Sequence, residues 1–244
     1  VEFDGVTFTY PTGGAPALSD ISFALGHGKT LGIIGGTGSG KSTLISLIPR
    51  FYDVSAGAVK VDGCDVKDYP LQTLRGKIGL VPQKALLFLG TIRDNLLWGK
   101  ENATDEELYE ALRAAQALEV VEGKPKGLDD PVETGGRNFS GGQRQRLTIA
   151  RALVRRPELL ILDDSASALD FATDAALRRA LRELPWHPAV VIISQRTASI
   201  RFADEILVLD DGRLAGKGTH DELLETCEVY REIYESQFKK EDAR

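Results

Sequence analysis

A glycine-rich loop with a single lysine is the first stretch of this sequence whose residue types point to chemistry. Residues 35–42 read Gly-Gly-Thr-Gly-Ser-Gly-Lys-Ser and fit the pattern GxxxxGK[ST]. Glycines let backbone N–H groups surround a phosphate, Lys41 adds a positive charge, and the Ser42 hydroxyl can ligate Mg²⁺. An apolar run precedes the loop and a helical pattern follows it, as this motif requires. The predicted triphosphate-binding residues are Thr37, Gly38, Ser39, Gly40, Lys41, Ser42 and Thr43.

A carboxylate pair follows an apolar stretch later in the chain. Residues 159–162 are Leu-Leu-Ile-Leu, and Asp163 and Asp164 come directly after them. A carboxylate at the end of a buried strand is badly placed unless it meets a cation. In a P-loop protein that cation is the Mg²⁺ of the nucleotide, so Asp163 is predicted to be the Walker-B acid.

A third motif, Asn-Phe-Ser-Gly-Gly-Gln at residues 138–143, precedes a predicted helix over 143–156. Free N–H groups at a helix start form a second anion site. With these motifs in this order, the chain resembles the ATP-binding cassette (ABC) ATPases over essentially its whole length. The signature of that family usually reads LSGGQ, and Phe139 here replaces the leucine.

The resemblance implies roles for further residues. Tyr10 resembles the aromatic residue that stacks on adenine, and Gln83 resembles the Q-loop residue that contacts Mg²⁺ and water. Two domains of this family pair head to tail, so that each ATP lies between one P-loop and the signature of the other chain. The implied signature residues are Ser140, Gly141, Gly142 and Gln143, the D-loop residues are Ser167, Ala168, Leu169 and Asp170, and the metal ligands are Ser42, Gln83 and Asp163.

Two positions depart from the family pattern in the region of the γ-phosphate. Asp164 stands where the family usually has Glu, and Gln195, within Ile-Ser-Gln-Arg at 193–196, stands where it usually has His. A shorter acid can misplace the attacking water, and Gln cannot carry a proton. With Asp164, Gln195 and Gln83 as catalytic residues, the chain resembles the degenerate-site subunit of heterodimeric ABC exporters. The implied partner is a non-identical chain with Glu and His.

The motifs need elements that position them. Nearly all-apolar runs at 159–162 and 190–193 predict strands buried on both faces, as in a parallel sheet covered by helices. Thr104 with Glu107 and Thr219 with Glu222 fit capping boxes, and Asp62-Gly63 and Asp211-Gly212 fit hairpin turns. The pattern predicts an α/β fold: a P-loop (RecA-like) core with an antiparallel β subdomain, residues 1–83 and 157–244, and an inserted α-helical subdomain, residues 84–156.

Composition narrows the functional classes. The 244 residues have a formal charge of −6 and no apolar run long enough to span a membrane. Cys64 and Cys227 lack disulfide or zinc spacing. Six arginines without an intervening acid at 137–156 favour a nucleotide-facing and packing role over nucleic-acid binding, because the overall charge is negative. No nucleic-acid partner is expected.

The chain begins at Val1 and contains no Met, which predicts a piece of a longer or edited chain.

The resulting prediction is an ATP- and Mg²⁺-dependent motor domain of an ABC exporter. Segments 90–96 and 218–223 resemble the exporter branch, which implies transmembrane domains as partners and a place at the cytoplasmic face of a membrane. Two alternatives remain open. One is a nucleotide-gated dimerisation module without hydrolysis, and the other is a soluble ABC ATPase that acts on nucleic acid.

Overall fold

The computed structural model describes residues 1–165 and 167–241, which form two compact units. Unit 1 runs from Val1 to Ile78 and resumes at Ala189, and unit 2 runs from Gly79 to Pro188. The predicted helical subdomain, residues 84–156, lies within unit 2, which also contains residues 157–188.

Strands are distributed over both units. In chain order they are β1 Glu2–Phe8, β2 Leu18–Ala24, β3 Thr30–Gly35, β4 Ala56–Val61, β5 Cys64–Asp65, β6 Ile78–Val81, β7 Gly90–Thr91, β8 Pro131–Val132, β9 Leu159–Asp163, β10 Ala189–Ile193, β11 Glu205–Asp210 and β12 Arg213–Gly218.

Helices lie between and after these strands. They are α1 Lys41–Leu47, α2 Leu71–Lys77, α3 Ile92–Leu97, α4 Asp105–Ala114, α5 Leu118–Glu122, α6 Gly141–Leu153, α7 Phe171–Arg182, α8 Thr197–Ile200, α9 His220–Thr226 and α10 Glu228–Glu241. Two 3₁₀ turns lie at Gly127–Asp129 and Thr134–Gly136.

Unit 1 contains an antiparallel and a mainly parallel layer of strands. The antiparallel sheet has the order β2-β1-β4-β5, which confirms the predicted β subdomain. In the other layer β3 lies between β10 and β11 and is parallel to both, with Leu31 opposite Val191 and Gly32 opposite Ile206. The carboxyl ends of the three parallel strands therefore meet at one edge, so the loops that follow them are neighbours.

Unit 2 packs helices around a buried apolar core. Helix α6 contacts α3 and α4, and Leu108, Leu112 and Ile149 are fully buried. Strand β9 lies next to β6, and its first four residues are buried. In unit 1, β10 is buried throughout. Both strands therefore have the burial that the sequence predicts, because apolar side chains point to both faces.

Most local predictions from the sequence are confirmed. The capping boxes at Thr104 and Thr219 are both formed. The helical spacing of Leu223, Cys227, Tyr230 and Tyr234 predicts a single C-terminal helix. This prediction is wrong, because Cys227 is extended (φ −118°) and separates α9 from α10. Apolar residues at helical spacing gave no signal for this break, since Leu223, Cys227 and Tyr230 are all buried on either side of it.

Candidate functional site

The glycine-rich loop joins β3 to α1 in unit 1. Gly38 (φ +83°) and Gly40 (φ +98°) adopt left-handed backbone that other residues rarely tolerate. A Cβ on Gly40 would lie 2.8 Å from Leu18 Cδ2, whereas the space beside Gly38 is open. The loop thus passes closely over its own unit at Gly40 and leaves the region around Gly38 clear for a ligand.

Lys41 is held inside this loop. Its ammonium donates to the carbonyls of Gly35 (2.8 Å) and Gly36 (2.6 Å) and to Ser39 Oγ (3.2 Å). The residue is only 9% exposed, so these acceptors satisfy a charge that burial would otherwise penalise. A phosphate oxygen would form a stronger, charge-assisted hydrogen bond with the same ammonium.

A cavity of about 300 Å³ opens over the loop in unit 1. The residues that line it include Gly38 to Thr43 from the loop, Tyr10 after β1 and Asp211 after β11. The predicted ATP-binding residues Tyr10 and 38–43 are therefore brought together around one cavity, and Thr37 lies in the loop itself. The volume of this cavity is at the lower end of the range for small-ligand sites.

Tyr10 is fixed to the start of α1. Its hydroxyl is hydrogen-bonded to Thr43 Oγ1 at 2.9 Å, and its ring lies 4.8 Å from the Phe8 ring and 5.3 Å from the Tyr52 ring. Both aromatic neighbours are nearly perpendicular to it, an arrangement that favours ring–ring attraction. The sequence predicts a role for Tyr10 but not its contacts with Thr43 and Tyr52, because no local pattern links residues this far apart.

The hairpin turn at Asp211-Gly212 touches the glycine-rich loop. Gly212 N donates to Ser39 O (3.2 Å), and Gly212 O accepts from Ser19 N (2.8 Å). A Cβ on Gly212 would lie 2.6 Å from Ala17 O, so the contact requires glycine. The sequence predicts this dipeptide only as a turn; its position follows from β11 being parallel to β3.

Gln195 follows β10 at the same edge of unit 1. Its side chain is exposed, and its carbonyl accepts a hydrogen bond from Gln237 Nε2 at 2.7 Å. The next helix, α8, begins at Thr197, whose side chain is buried. Gln237 is a residue of α10 that the sequence analysis did not identify.

The acidic pair lies at the end of β9 in unit 2. Asp163 is the last residue of the strand, and Asp164 has left-handed backbone (φ +44°), which aspartate tolerates better than most residues. Gln83 Nε2 donates to Asp164 Oδ2 at 3.2 Å. Ser167 Oγ donates to Asp164 O at 2.8 Å. The predicted Q-loop, acidic pair and start of the D-loop are therefore in contact within this unit.

The signature residues cap their own helix. Ser140 Oγ accepts from Gln143 N (3.2 Å), while Gln143 Oε1 accepts from Ser140 N (2.9 Å). This is a capping box that the sequence analysis missed, although the Ser-x-x-Gln pattern was its signal. Phe139 is buried, with Lys124 Nζ 4.4 Å from its ring centre. The Ser140 hydroxyl uses an oxygen lone pair here, so its proton is still available to an external acceptor.

The D-loop and the signature meet in unit 2. A Cβ on Gly142 would lie 3.2 Å from Ala168 O, and Leu169 is buried. Asp170 caps α7, and hydrogen bonds from the Thr173 backbone and hydroxyl lower the pKa of its carboxyl. A cavity of about 510 Å³ in this unit is lined by residues of the Q-loop, the signature and the D-loop, including Gln83, Gly141 and Ala168.

The arginines around the signature are engaged mainly within unit 2. Arg144 donates to Phe139 O (2.7 Å), Arg151 to Leu86 O (3.1 Å) and Arg155 to Gly99 O (2.9 Å). Burial lowers the pKa of Arg151. These contacts fit the packing role favoured for the cluster, because the guanidinium groups donate to backbone carbonyls of neighbouring segments.

Each unit contains residues of the kind that ligate Mg²⁺ bound together with a nucleotide. Within residues 1–165 and 167–241, no three His, Cys, Asp or Glu side chains are grouped closely enough to form a metal site. Mg²⁺ usually needs only one or two carboxylates when phosphate oxygens and water complete its shell. Ser42 offers an exposed hydroxyl in unit 1, and Gln83 and Asp163 offer oxygens in unit 2.

In the part of the chain that the structure describes, no helix is both long enough and apolar enough to cross a bilayer.

Comparison with known proteins gives concordant matches. The family model "ABC transporter" matches residues 18–167. The chain is 47% identical over 241 residues to the uncharacterized ABC transporter ATP-binding protein YfiB of Bacillus subtilis (strain 168), covering 99% of this chain and 42% of that protein. It is 44% identical over 243 residues to the ATP-dependent lipid A-core flippase of Chromobacterium violaceum, covering 100% of this chain and 42% of the flippase.

A solved structure of a bacterial Atm1-family ABC exporter with ATP bound is also similar. It matches 97% of this chain and 41% of its own length, with a TM-score of 0.91 and 36% sequence identity. The chain thus spans about two fifths of the length of these relatives. The predicted α/β P-loop fold is confirmed by this agreement. The chain therefore belongs to the ABC transporter family.

Proposed function

We propose that this chain binds and hydrolyses ATP as the motor of a membrane exporter, that it pairs with a second ATP-binding domain, and that its own site turns ATP over slowly. The carrying observation is the position of Lys41, whose buried ammonium lies among the carbonyls of its own loop beside a cavity that also contains Tyr10. The names of its relatives, an ATP-dependent flippase and an ABC exporter, support the transport role.

The residues of unit 1 bind the nucleotide in this proposal. Adenine stacks on Tyr10, the backbone N–H groups of 38–43 hold the phosphates, and Lys41 exchanges its carbonyl acceptors for phosphate oxygens. Ser42, Gln83 and Asp163 would hold Mg²⁺, which would neutralise phosphate charge. Residues 1–83 and 157–244 form the core subdomain, and residues 84–156 form the helical subdomain.

Asp164 and Gln195 limit hydrolysis. Asp164 must orient the attacking water, but its side chain is one methylene shorter than that of Glu. A displacement of about 1 Å of a catalytic group can cost on the order of 100-fold in rate. Gln195 donates a neutral hydrogen bond toward the γ-phosphate but cannot hold a proton there.

The signature serves a different chain. In a head-to-tail pair, Ser140, Gly141, Gly142 and Gln143 face the ATP on the partner's P-loop. The Ser140 hydroxyl supports this role because its oxygen accepts from Gln143 N while its proton remains available to a phosphate oxygen. Transmembrane domains, as partners at the cytoplasmic side of a membrane, then convert pairing and separation into transport.

A mixed-partner ATPase assay tests the proposal. Turnover is measured for this chain alone, and for this chain mixed with a homologue that carries Glu and His at the positions of Asp164 and Gln195. We expect slow turnover alone, faster turnover in the mixture, and loss of that gain with Ser140→Asp. The double variant Asp164→Glu, Gln195→His should raise turnover of the chain alone by at least about tenfold.

Two results contradict the proposal. Turnover by the wild-type chain alone that equals the Glu/His homologue would exclude an impaired site. An unchanged rate in the double variant would mean that Asp164 and Gln195 do not limit the reaction. Asp163→Asn serves as the control, because loss of a metal ligand should stop hydrolysis at this site in every mixture.

A nucleotide-gated dimerisation module without hydrolysis is the second candidate. The hydrogen bond between Gln83 and Asp164 favours it, since a carboxylate engaged in this way is a poorer partner for water. ATP binding and ATP-dependent pairing with no turnover, even in the double variant, would support this alternative and exclude the motor.

A further inference from the structure

A side chain of helix α10, Gln237, contacts the loop that contains Gln195. Gln237 Nε2 donates to Gln195 O at 2.7 Å, and Gln237 Oε1 accepts from both Thr197 N and Thr197 Oγ1 at 3.0 Å. The carboxamide therefore binds the chain on both sides of Arg196. It closes contacts over 40 and 42 residues of sequence.

The orientation of this carboxamide is determined by its partners. A backbone carbonyl can only accept and a backbone N–H can only donate, so the Gln237 nitrogen must face Gln195 and its oxygen must face Thr197. Thr197 N is the first amide of α8, where helical partners are missing. Gln237 thus supplies the acceptor that this helix start requires, and it also holds the carbonyl of Gln195, two residues before the helix.

Helix α10, which carries Gln237, is itself held by buried contacts within unit 1. Tyr230, one of its residues, is fully buried, and the Tyr230 hydroxyl is hydrogen-bonded to His220 Nδ1 of α9 at 2.7 Å. The helix also packs against β3, α8 and β11, all within unit 1. The strand that leads into the glycine-rich loop and the helix that follows Gln195 therefore contact the same element.

We infer that Gln237 is a positioning residue, which holds the main chain at Gln195 so that the exposed Gln195 side chain can face the γ-phosphate. This inference rests on the proposed ATPase function, because it assigns Gln195 a place in that reaction. Gln237 itself touches no reacting atom. It acts through the carbonyl of Gln195 and the amide of Thr197, so the end of α10 determines the geometry of the switch position.

Isosteric replacement gives the sharpest test. Gln237→Glu keeps the shape and the acceptor for Thr197 but replaces the donor with a carboxylate oxygen, which repels Gln195 O. We expect turnover to fall by about tenfold or more, since small displacements of catalytic groups are costly, while ATP affinity changes by less than about twofold. Ser236→Ala, on the exposed side of the same helix, is the matched control and should leave both quantities unchanged.

A double-variant comparison separates positioning from general stability. In a Gln195→Ala background, Gln237→Glu should have little further effect on turnover, because the side chain that it positions is gone. The inference is overturned if Gln237→Glu lowers turnover equally in the wild-type and Gln195→Ala backgrounds. It is also overturned if Gln237→Glu has the same turnover as Ser236→Ala in the wild-type background.

Hydrogen exchange supplies a readout that does not need hydrolysis. Gln237→Ala removes the acceptor of Thr197 N, so exchange of that amide should accelerate about tenfold, whereas Ser236→Ala should not change it. If the wild-type chain binds ATP without turnover, the proposed hydrolysis fails, and the exchange rate alone decides the inference. Equal exchange at Thr197 in Gln237→Ala and wild type overturns it.

Discussion

The side-chain nitrogen of Gln83 lies 3.2 Å from a carboxylate oxygen of Asp164 and donates a hydrogen bond to it. The two residues follow neighbouring strands, β6 and β9, and are separated by 81 residues in the chain. The contact joins the predicted metal and water ligand to the predicted catalytic acid. Any change in one of these residues therefore alters the position of the other.

Removal of this contact gives the first prediction. Gln83→Ala should lower ATP turnover by about tenfold or more, because Asp164 loses its restraint and Mg²⁺ loses a ligand. ATP affinity should fall less than turnover, since the phosphate-binding loop lies in unit 1. Steady-state kinetics with titration calorimetry measure both quantities, and Gln72→Ala, an exposed glutamine of α2, is the control. Equal losses of affinity and turnover would contradict the assignment.

The second prediction concerns Tyr10. Tyr10→Ala should weaken ATP binding by roughly five- to 150-fold, because stacking of a base on an aromatic ring contributes about 1–3 kcal/mol. Tyr10→Phe keeps the ring and loses only the hydrogen bond to Thr43, so it should weaken binding by only a few-fold. Titration with a fluorescent ATP analogue measures the affinities. Equal affinities for the Ala and Phe variants would rule out stacking.

Variants of two capping boxes separate the proposed role of the signature in partner turnover from its effect on helix stability. Ser140→Ala and Thr104→Ala each remove an N-cap hydroxyl and should each cost about 1 kcal/mol in the free energy of unfolding. Only Ser140→Ala should also lower the turnover of a Glu/His partner, because Thr104 has no proposed role in pairing. Urea unfolding and the mixed ATPase assay provide the two measurements. An equal effect of both variants on partner turnover would contradict the role of the signature.

The fourth prediction is a dependence of stability on pH. Burial, with smaller contributions from Tyr234 and Asp221, raises the pKa of Tyr230 to about 12 from its ordinary value of 10.0. The folded state therefore favours the neutral phenol. The stabilisation that the neutral Tyr230 phenol gives the folded state is complete below pH 10 and is lost as the pH rises toward 12.

Denaturant unfolding at several pH values between 9 and 12 checks this prediction, with that window taken from the same pKa shift. Tyr230→Phe should remove part of the decline of wild-type stability in this range, because it has no hydroxyl to ionise. Tyr109→Phe is the control and should retain the full decline. Identical pH profiles for Tyr230→Phe and wild type would show that Tyr230 does not contribute.

Local sequence patterns predicted the parts of this fold that depend on nearby residues. The glycine-rich loop, the boxes at Thr104 and Thr219, and the burial of β10 each follow from residue types within a few positions. The capping box at Ser140 was equally local and was missed, because its residues were interpreted only as an anion site. The break at Cys227 has no local signal, since burial on both sides preserves helical spacing.

Contacts between distant residues could not be predicted in this way. Gln237 is one polar residue on an amphipathic helix, and no spacing rule connects it to Gln195 or Thr197. The Gln83–Asp164 contact likewise requires the strand order, which a single sequence does not specify. Tertiary packing decides these pairs, whereas caps and turns are decided by the local chain.

The two Asp-Gly turns have the same dipeptide and nearly the same backbone, with φ of +50° and +75° at Asp62-Gly63 and +42° and +73° at Asp211-Gly212. Their surroundings differ. A Cβ on Gly63 would meet nothing within 4 Å, whereas Gly212 lies against Ala17 and donates to Ser39 of the nucleotide loop. For protein engineering, the first hairpin is thus a suitable place to insert a tag or a fluorescent domain. The second is not, although it looks the same in the sequence.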